Sequence, residues 1–216
     1  MPSYDSDRVG HIHRELHSHL PSEPALRIKA LESLLVEKGL LDSRTVDAWV
    51  EAYSERIGPK RGAAIVAHAW VDPSFKARLL EDGTEAVKEM SFGENATPHL
   101  KVVENTPSVH NVVVCTLCSC YPLQVLGIPP NWYKSAEYRA RVVRDPRGVL
   151  AEFGVSIGND VEVRVWDSTS ELRYLVLPER PVGTAGWEEA KLARLVTRNS
   201  MIGTDRDLSP QVRKVF

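Results

Sequence analysis

Cys115, Cys118 and Cys120 are the only cysteines in 216 residues and fall within six consecutive positions. They follow an apolar β-branched run, Val112-Val113-Val114, and lead into Tyr121-Pro122. An odd count with no distant cysteine offers no loop-closing disulfide. A structural zinc site would need a fourth ligand at a recognisable interval. The nearest histidines, His99 and His110, lie upstream without such spacing. Inert burial accounts for one thiol better than for three so close together. A transition-metal site is the better reading, because soft thiolates suit such ions. In Cys-x-x-Cys-x-Cys three sulfurs can point at one centre if the backbone turns tightly around it. The peptide nitrogens of Ser119 and Cys120 would then lie near that centre, and a strongly Lewis-acidic trivalent ion could take both as ligands. One position would stay open for water or substrate. The spacing permits this arrangement without requiring it.

Val114-Cys115-Thr116-Leu117-Cys118-Ser119-Cys120-Tyr121-Pro122 resembles the metal-binding motif of the nitrile hydratase α subunit. The likeness continues through Val125-Leu126-Gly127-Ile128-Pro129-Pro130-Asn131-Trp132-Tyr133-Lys134 and Tyr138-Arg139-Ala140-Arg141-Val142-Val143-Arg144. It resumes at Val165-Trp166-Asp167-Ser168, Val176-Leu177-Pro178-Glu179-Arg180-Pro181 and Leu195-Val196-Thr197-Arg198, so it covers roughly residues 102–203. The resemblance implies metal ligation by the thiolates of Cys115, Cys118 and Cys120 and the amide nitrogens of Ser119 and Cys120. It further implies a sulfinate at Cys118 and a sulfenate at Cys120, both on the known oxidation ladder of thiolates. Thr116 and Tyr121 match the family's cobalt pattern, whereas Ser and Thr there mark the iron pattern, so one cobalt(III) per chain is expected ahead of iron(III).

The reaction implied is hydration of a small nitrile to its amide. Cys120 would act as nucleophile or base, Ser119 would orient substrate, and Tyr121 would stand behind the ligands. The implied partners are a β subunit, in an αβ heterodimer or α2β2 assembly, and an activator protein that inserts the metal. The β subunit's arginines would bind the oxidised sulfurs, since charge-assisted bonds suit anionic oxygens. Two positions depart from the family. Leu123-Gln124 stands where many relatives read Trp-Pro, which would widen the substrate space, and Ala96-Thr97-Pro98 stands where they read Gln-Gly-Glu. Rival readings are a thiocyanate hydrolase γ-type subunit, which shares the motif, a metal chaperone or sensor, and a subunit that keeps the fold without activity.

The elements that would position these residues divide at about residue 92. Residues 1–92 read as a helical N-terminal arm that, by the resemblance, wraps a partner subunit; 93–216 read as the globular metal-binding catalytic domain. The fold class expected is α+β, with the arm followed by layers in the order α-β-β-α. His11, His13, His17 and His19 punctuate a polar start, where His13 and His17 stand four apart, but Arg14-Glu15 between them does not make a His-Glu-x-x-His motif. A solvated arm is expected there. Helices are predicted over Pro21–Lys38, from Asp42 or Ser43 to Gly58 with Trp49 facing a core, over Pro59–Val71, and over Phe75–Glu81. His68 reads as a packing residue. Strands are predicted at Leu100–Glu104 and Asn111–Cys115, joined by Asn105–Ser108, and at Val161–Trp166 and Leu172–Leu177, the latter two as a pair. A rigid loop is expected around Gly127 and Pro129-Pro130. Helices follow at Ser135–Arg144 and Pro146–Phe153, where Arg139, Arg141 and Arg144 face either solvent or a partner, and a last amphipathic helix covers Trp187–Val196.

Composition sets the outer limits. Hydrophobic residues make up 43% and charged residues 26%, which is ordinary for a soluble domain. A formal net charge of -2 gives no reason to expect nucleic acid or an acidic membrane surface. The polar opening, Met1-Pro2-Ser3-Tyr4-Asp5, reads as neither signal peptide nor span. Reduced thiols awaiting a metal fit the cytoplasm.

Overall fold

The computed structural model describes residues 23–53, 59–90 and 99–209. The histidine-rich opening and Ala96 lie outside the described residues, as does Gly58 at the expected end of the second helix. The chain forms two compact units, Met1–Val50 and Glu51–Phe216, so the expected junction at residue 92 falls inside the second.

In the first unit, α1 (Glu23–Glu37) opens with an acidic residue in its first turn, which suits the positive end of the helix. It closes with the bonds Gly39 N–H to Val36 O and Leu40 N–H to Leu35 O, which cap the last carbonyls. Asp42 starts α2 (Ser43–Glu51) by accepting the Arg44 N–H at 3.0 Å. Neither helix buries a single residue. Trp49 is 60% exposed, which corrects its expected core position; the periodicity is amphipathic, but this chain does not cover the apolar side.

The second unit begins its described structure with α3 (Lys60–Val71), whose small residues Gly62, Ala63, Ala67 and Ala69 let it sit deep in the core beside Ile65 and Val66. Asp72 ends it and caps α4 (Pro73–Glu81), accepting the N–H groups of Ser74 and Phe75. Asp82 caps α5 (Gly83–Lys88) in the same way. The expected break at Asp72-Pro73 thus falls where cap and proline dictate. His68 packs as expected, its ring 4.5 Å from Phe75 and its Nδ1 3.0 Å from Glu189.

Four strands follow: β1 (Leu100–Glu104), β2 (Val109–Val114), β3 (Glu162–Asp167) and β4 (Arg173–Leu177). Their pairing departs from expectation. β3 and β4 do not pair with each other; β1 runs parallel to β4 and β2 parallel to β3, as two separate two-stranded sheets. Consecutive strands make hairpins only if a turn reverses them within one sheet. Between β1 and β2 only a single bridge, Thr106 to Val109, is antiparallel. Parallel strands buried on both faces carry continuous apolar runs rather than alternation, and β2 is buried at five of six positions.

The crossover from β2 to β3 is helical, as parallel pairing requires. It contains α6 (Leu123–Leu126), α7 (Asn131–Lys134), α8 (Ala136–Arg144) and α9 (Pro146–Glu152). The segment expected as a rigid loop therefore holds two one-turn helices, α6 and α7. The final helix is shorter than expected, α10 (Glu189–Ala193), and a further one, α11 (Arg198–Ile202), follows it behind a Thr197–Ser200 capping box. α4 and α5 cover β1, and α9 lies on β3. The α-β-β-α order of layers is thereby met. No helix among the described residues is long and apolar enough to cross a membrane.

Candidate metal centre

The cysteine segment begins where β2 ends. Register places Val114 beside Asp167, so the ends of β2 and β3 emerge together from one edge. Cys115 is buried, Cys120 half-buried and Cys118 exposed; all three are free thiols. Their sulfurs lie within 4.8 Å of one another. Cys115 Sγ is 3.7 Å from Cys118 Sγ, which is 2.9 Å from Cys120 Sγ. Among the described residues this is the only cluster of three ligand-type side chains so close, and it contains no carboxylate or imidazole.

Ser119 has φ 64°, the only non-glycine residue in the left-handed region among those described. That conformation is unfavourable for a residue with a Cβ, and it makes the tight turn that folds Cys118 and Cys120 back toward Cys115. Burial alone would raise the Cys115 thiol. The N–H groups of Cys118, Cys120 and Leu117, aimed at its sulfur, overcome that and bring it down to about 7. Burial and the neighbouring Cys118 thiol push Cys120 up to about 12, with Arg173 opposing. A first negative charge therefore settles on Cys115, and a second awaits a cation. Three convergent soft sulfurs in a loop whose N–H groups already turn toward them fit a transition metal and do not fit magnesium or calcium.

Side chains from elsewhere hold the loop. Asp167 accepts the Thr116 N–H at 2.9 Å with one carboxylate oxygen and the Thr116 hydroxyl at 2.6 Å with the other. Arg139 donates to the Leu117 carbonyl at 3.1 Å. Tyr133, fully buried, donates its hydroxyl to the Cys120 carbonyl at 2.8 Å. Sequence reasoning assigned Asp167 and Tyr133 no role and left Arg139 on a solvent or partner face. Its neighbour Arg141 pairs with Glu152. The only available sign was that all three stand inside the motif blocks.

Tyr121 is buried against the Tyr133 ring at 5.1 Å, and among the described residues its hydroxyl has no hydrogen-bond partner. Burial raises its pKa, so it stays a neutral phenol. Leu123, at the start of α6, is half-buried close behind the loop. The structure thus brings Cys115, Cys118, Ser119, Cys120 and Tyr121 into one neighbourhood.

Fold and site together define an α+β protein that presents a three-cysteine claw at the end of paired parallel strands. Residues 22–205 match the family described as nitrile hydratase, alpha chain, and the chain belongs to that family. It is 55% identical over 201 residues to the low-molecular weight cobalt-containing nitrile hydratase subunit alpha of Rhodococcus rhodochrous, covering 92% of this chain and 97% of that one. It is 44% identical over 185 residues to the thiocyanate hydrolase subunit gamma of Thiobacillus thioparus, covering 81% of this chain and 76% of that one. Among solved structures, a double mutant of the Fe-type nitrile hydratase from Comamonas testosteroni Ni1 superposes with a TM-score of 0.78 at 44% identity, over 86% of this chain and 92% of that one.

Proposed function

We propose that this chain is the α subunit of a nitrile hydratase that converts a small nitrile to its amide, R–C≡N + H2O → R–C(O)NH2. The observation that carries the proposal is the convergence of three sulfurs within 4.8 Å at the end of β2. In this reading Cys115, Cys118 and Cys120 ligate through sulfur, and Ser119 and Cys120 through main-chain nitrogen. The metal is cobalt(III), one per chain; the cobalt-containing relative and Thr116 with Tyr121 favour it over the iron of the superposing structure. The bound ion supplies Lewis acidity. Cys118 is oxidised to sulfinate and Cys120 to sulfenate, whose oxygen serves as base or nucleophile toward the nitrile carbon. Ser119 orients substrate, and Tyr121 backs the ligands as a neutral hydroxyl.

A β subunit completes the centre in an αβ or α2β2 assembly, and an activator protein loads the metal in the cytoplasm. The partner-wrapping part of the N-terminal arm is assigned to α1 and α2, whose apolar residues this chain leaves uncovered. Co-expression with the neighbouring β gene tests the whole reading, by cobalt content, amide formation and intact mass. Three added oxygens, two on Cys118 and one on Cys120, are expected; a metal-free, inert complex would end the proposal. Exchangeable zinc or copper on unoxidised thiols would instead mark a chaperone. Turnover of thiocyanate in place of nitriles would mark the γ-type enzyme that the Thiobacillus relative represents.

A further inference from the structure

The loop from Thr116 to Cys120 is gripped at its two ends by side chains it does not contain. At the start, Asp167 takes both the N–H and the hydroxyl of Thr116. At the finish, Tyr133 donates to the Cys120 carbonyl. Between the two grips lie Cys118 and Ser119, the latter in a backbone conformation that its Cβ disfavours. Neither grip can be a consequence of local turn preference, because α7 and the end of β3 come from remote parts of the chain. Both side chains are themselves fixed. Tyr133 is fully buried and stacked edge-on to Tyr121 and Trp132. Asp167 ends a strand registered on Val114, and the next residue, Ser168, bonds its N–H to the Val114 carbonyl at 2.7 Å.

We propose that Asp167 and Tyr133 are positioning residues that hold the claw in its ligating shape before any metal arrives. Their work is mechanical: they oppose the tendency of Ser119 to relax to negative φ, which would swing Cys118 and Cys120 away from the buried Cys115. The assignment rests on the metal-site reading for its purpose but not for its first test.

That test is Tyr133→Phe, which removes one oxygen and keeps the ring packing, and Asp167→Asn, which keeps the shape but loses an acceptor. The full chain is stripped of metal, and alkylation of each cysteine by iodoacetamide is followed by peptide mass. Cys115 is protected in the parent chain by its burial; in either variant its alkylation is expected to rise about tenfold or more, with the thermal midpoint held near the parental value. Asp167→Glu, which restores both acceptors, should recover part of the protection in a way that a merely destabilised fold would not. The second readout is cobalt retention against a chelator in the co-expressed complex. Removing a residue that orients metal ligands commonly costs about 10–100-fold, and a shift of the sulfur-to-metal absorption band should accompany that loss. Unchanged Cys115 alkylation in both variants overturns the proposal. A parent complex that binds no metal, with protection still lost in the variants, sinks the enzyme reading and leaves the clamp standing.

Discussion

At the scale of single residues, two positions carry measurable consequences. Leu123 replaces the larger indole expected from the family resemblance, directly after the claw. Leu123→Trp is therefore expected to narrow the substrate space. KM for bulky aromatic nitriles should rise about tenfold, within the range that side-chain bulk in an apolar pocket commands, while turnover of the smallest nitriles stays within about threefold. Steady-state kinetics on a graded nitrile series checks it. The second position is His110, buried between strands and helix. The Gly203 carbonyl can only accept, so Nε2 carries the proton in their 2.7 Å contact, and Nδ1 is left facing the Asn105 amide at 3.4 Å. Burial pushes the imidazole pKa down; the Gly203 carbonyl and Glu179 oppose that, and Arg206 adds to it. With the folded pKa below the unfolded value of about 6.5, the unfolded chain binds more protons in between. Stability is then fully present above about pH 6.5 and falls as the pH drops toward the folded pKa. Denaturant midpoints at stepped pH should show this slope, and a His110→Gln variant should lose it.

At the scale of elements, close approach and backbone strain can be told apart. Gly203 ends α11 at φ 94°, and a Cβ there would come within 2.0 Å of the Asn111 carbonyl on β2. Gly154 has φ 79° but faces open space. Gly154→Ala should cost only the left-handed penalty, about 1–2 kcal/mol. Gly203→Ala adds a collision with backbone and should cost clearly more, or leave the protein insoluble; thermal melts of the two compare them. Most helices were legible in the sequence because their ends carry local chemistry: Asp72 before Pro73, Asp145 before Pro146, Ser135 before α8. The strands were legible as segments but not as partners. Register between β2 and β3 depends on contacts more than 50 positions apart, and no turn residue reports it. α6 and α7 escaped because four residues bounded by prolines are too short for a periodicity to show. The three sulfurs could be read directly; the residues that hold their loop could not, since a tyrosine and an aspartate in ordinary-looking segments acquire their roles only when the topology delivers them.

At the scale of the whole molecule, Leu26, Ile28, Leu31, Leu34 and Leu35 on α1 remain 40–64% exposed. An isolated helix of fifteen residues is marginal in water, and an uncovered row of aliphatic side chains of this kind marks an interaction surface. Leu31→Asp combined with Leu34→Asp is expected to weaken co-purification with the β subunit by tenfold or more, leaving the melting of the second unit unchanged. Pull-down titration and calorimetry check it together. Full β binding by that double variant would move the partner contact elsewhere on the chain.

The parallel pairing of β2 with β3 also sets a timetable. The three thiols leave the ribosome well before the aspartate that fastens their loop, with four helices synthesised between them. A nascent chain therefore carries its sulfurs as a slack, reactive ribbon until Asp167 emerges and the crossover closes. Metal delivered during synthesis would meet an unshaped ligand set, so insertion belongs after release, when the whole second unit has folded.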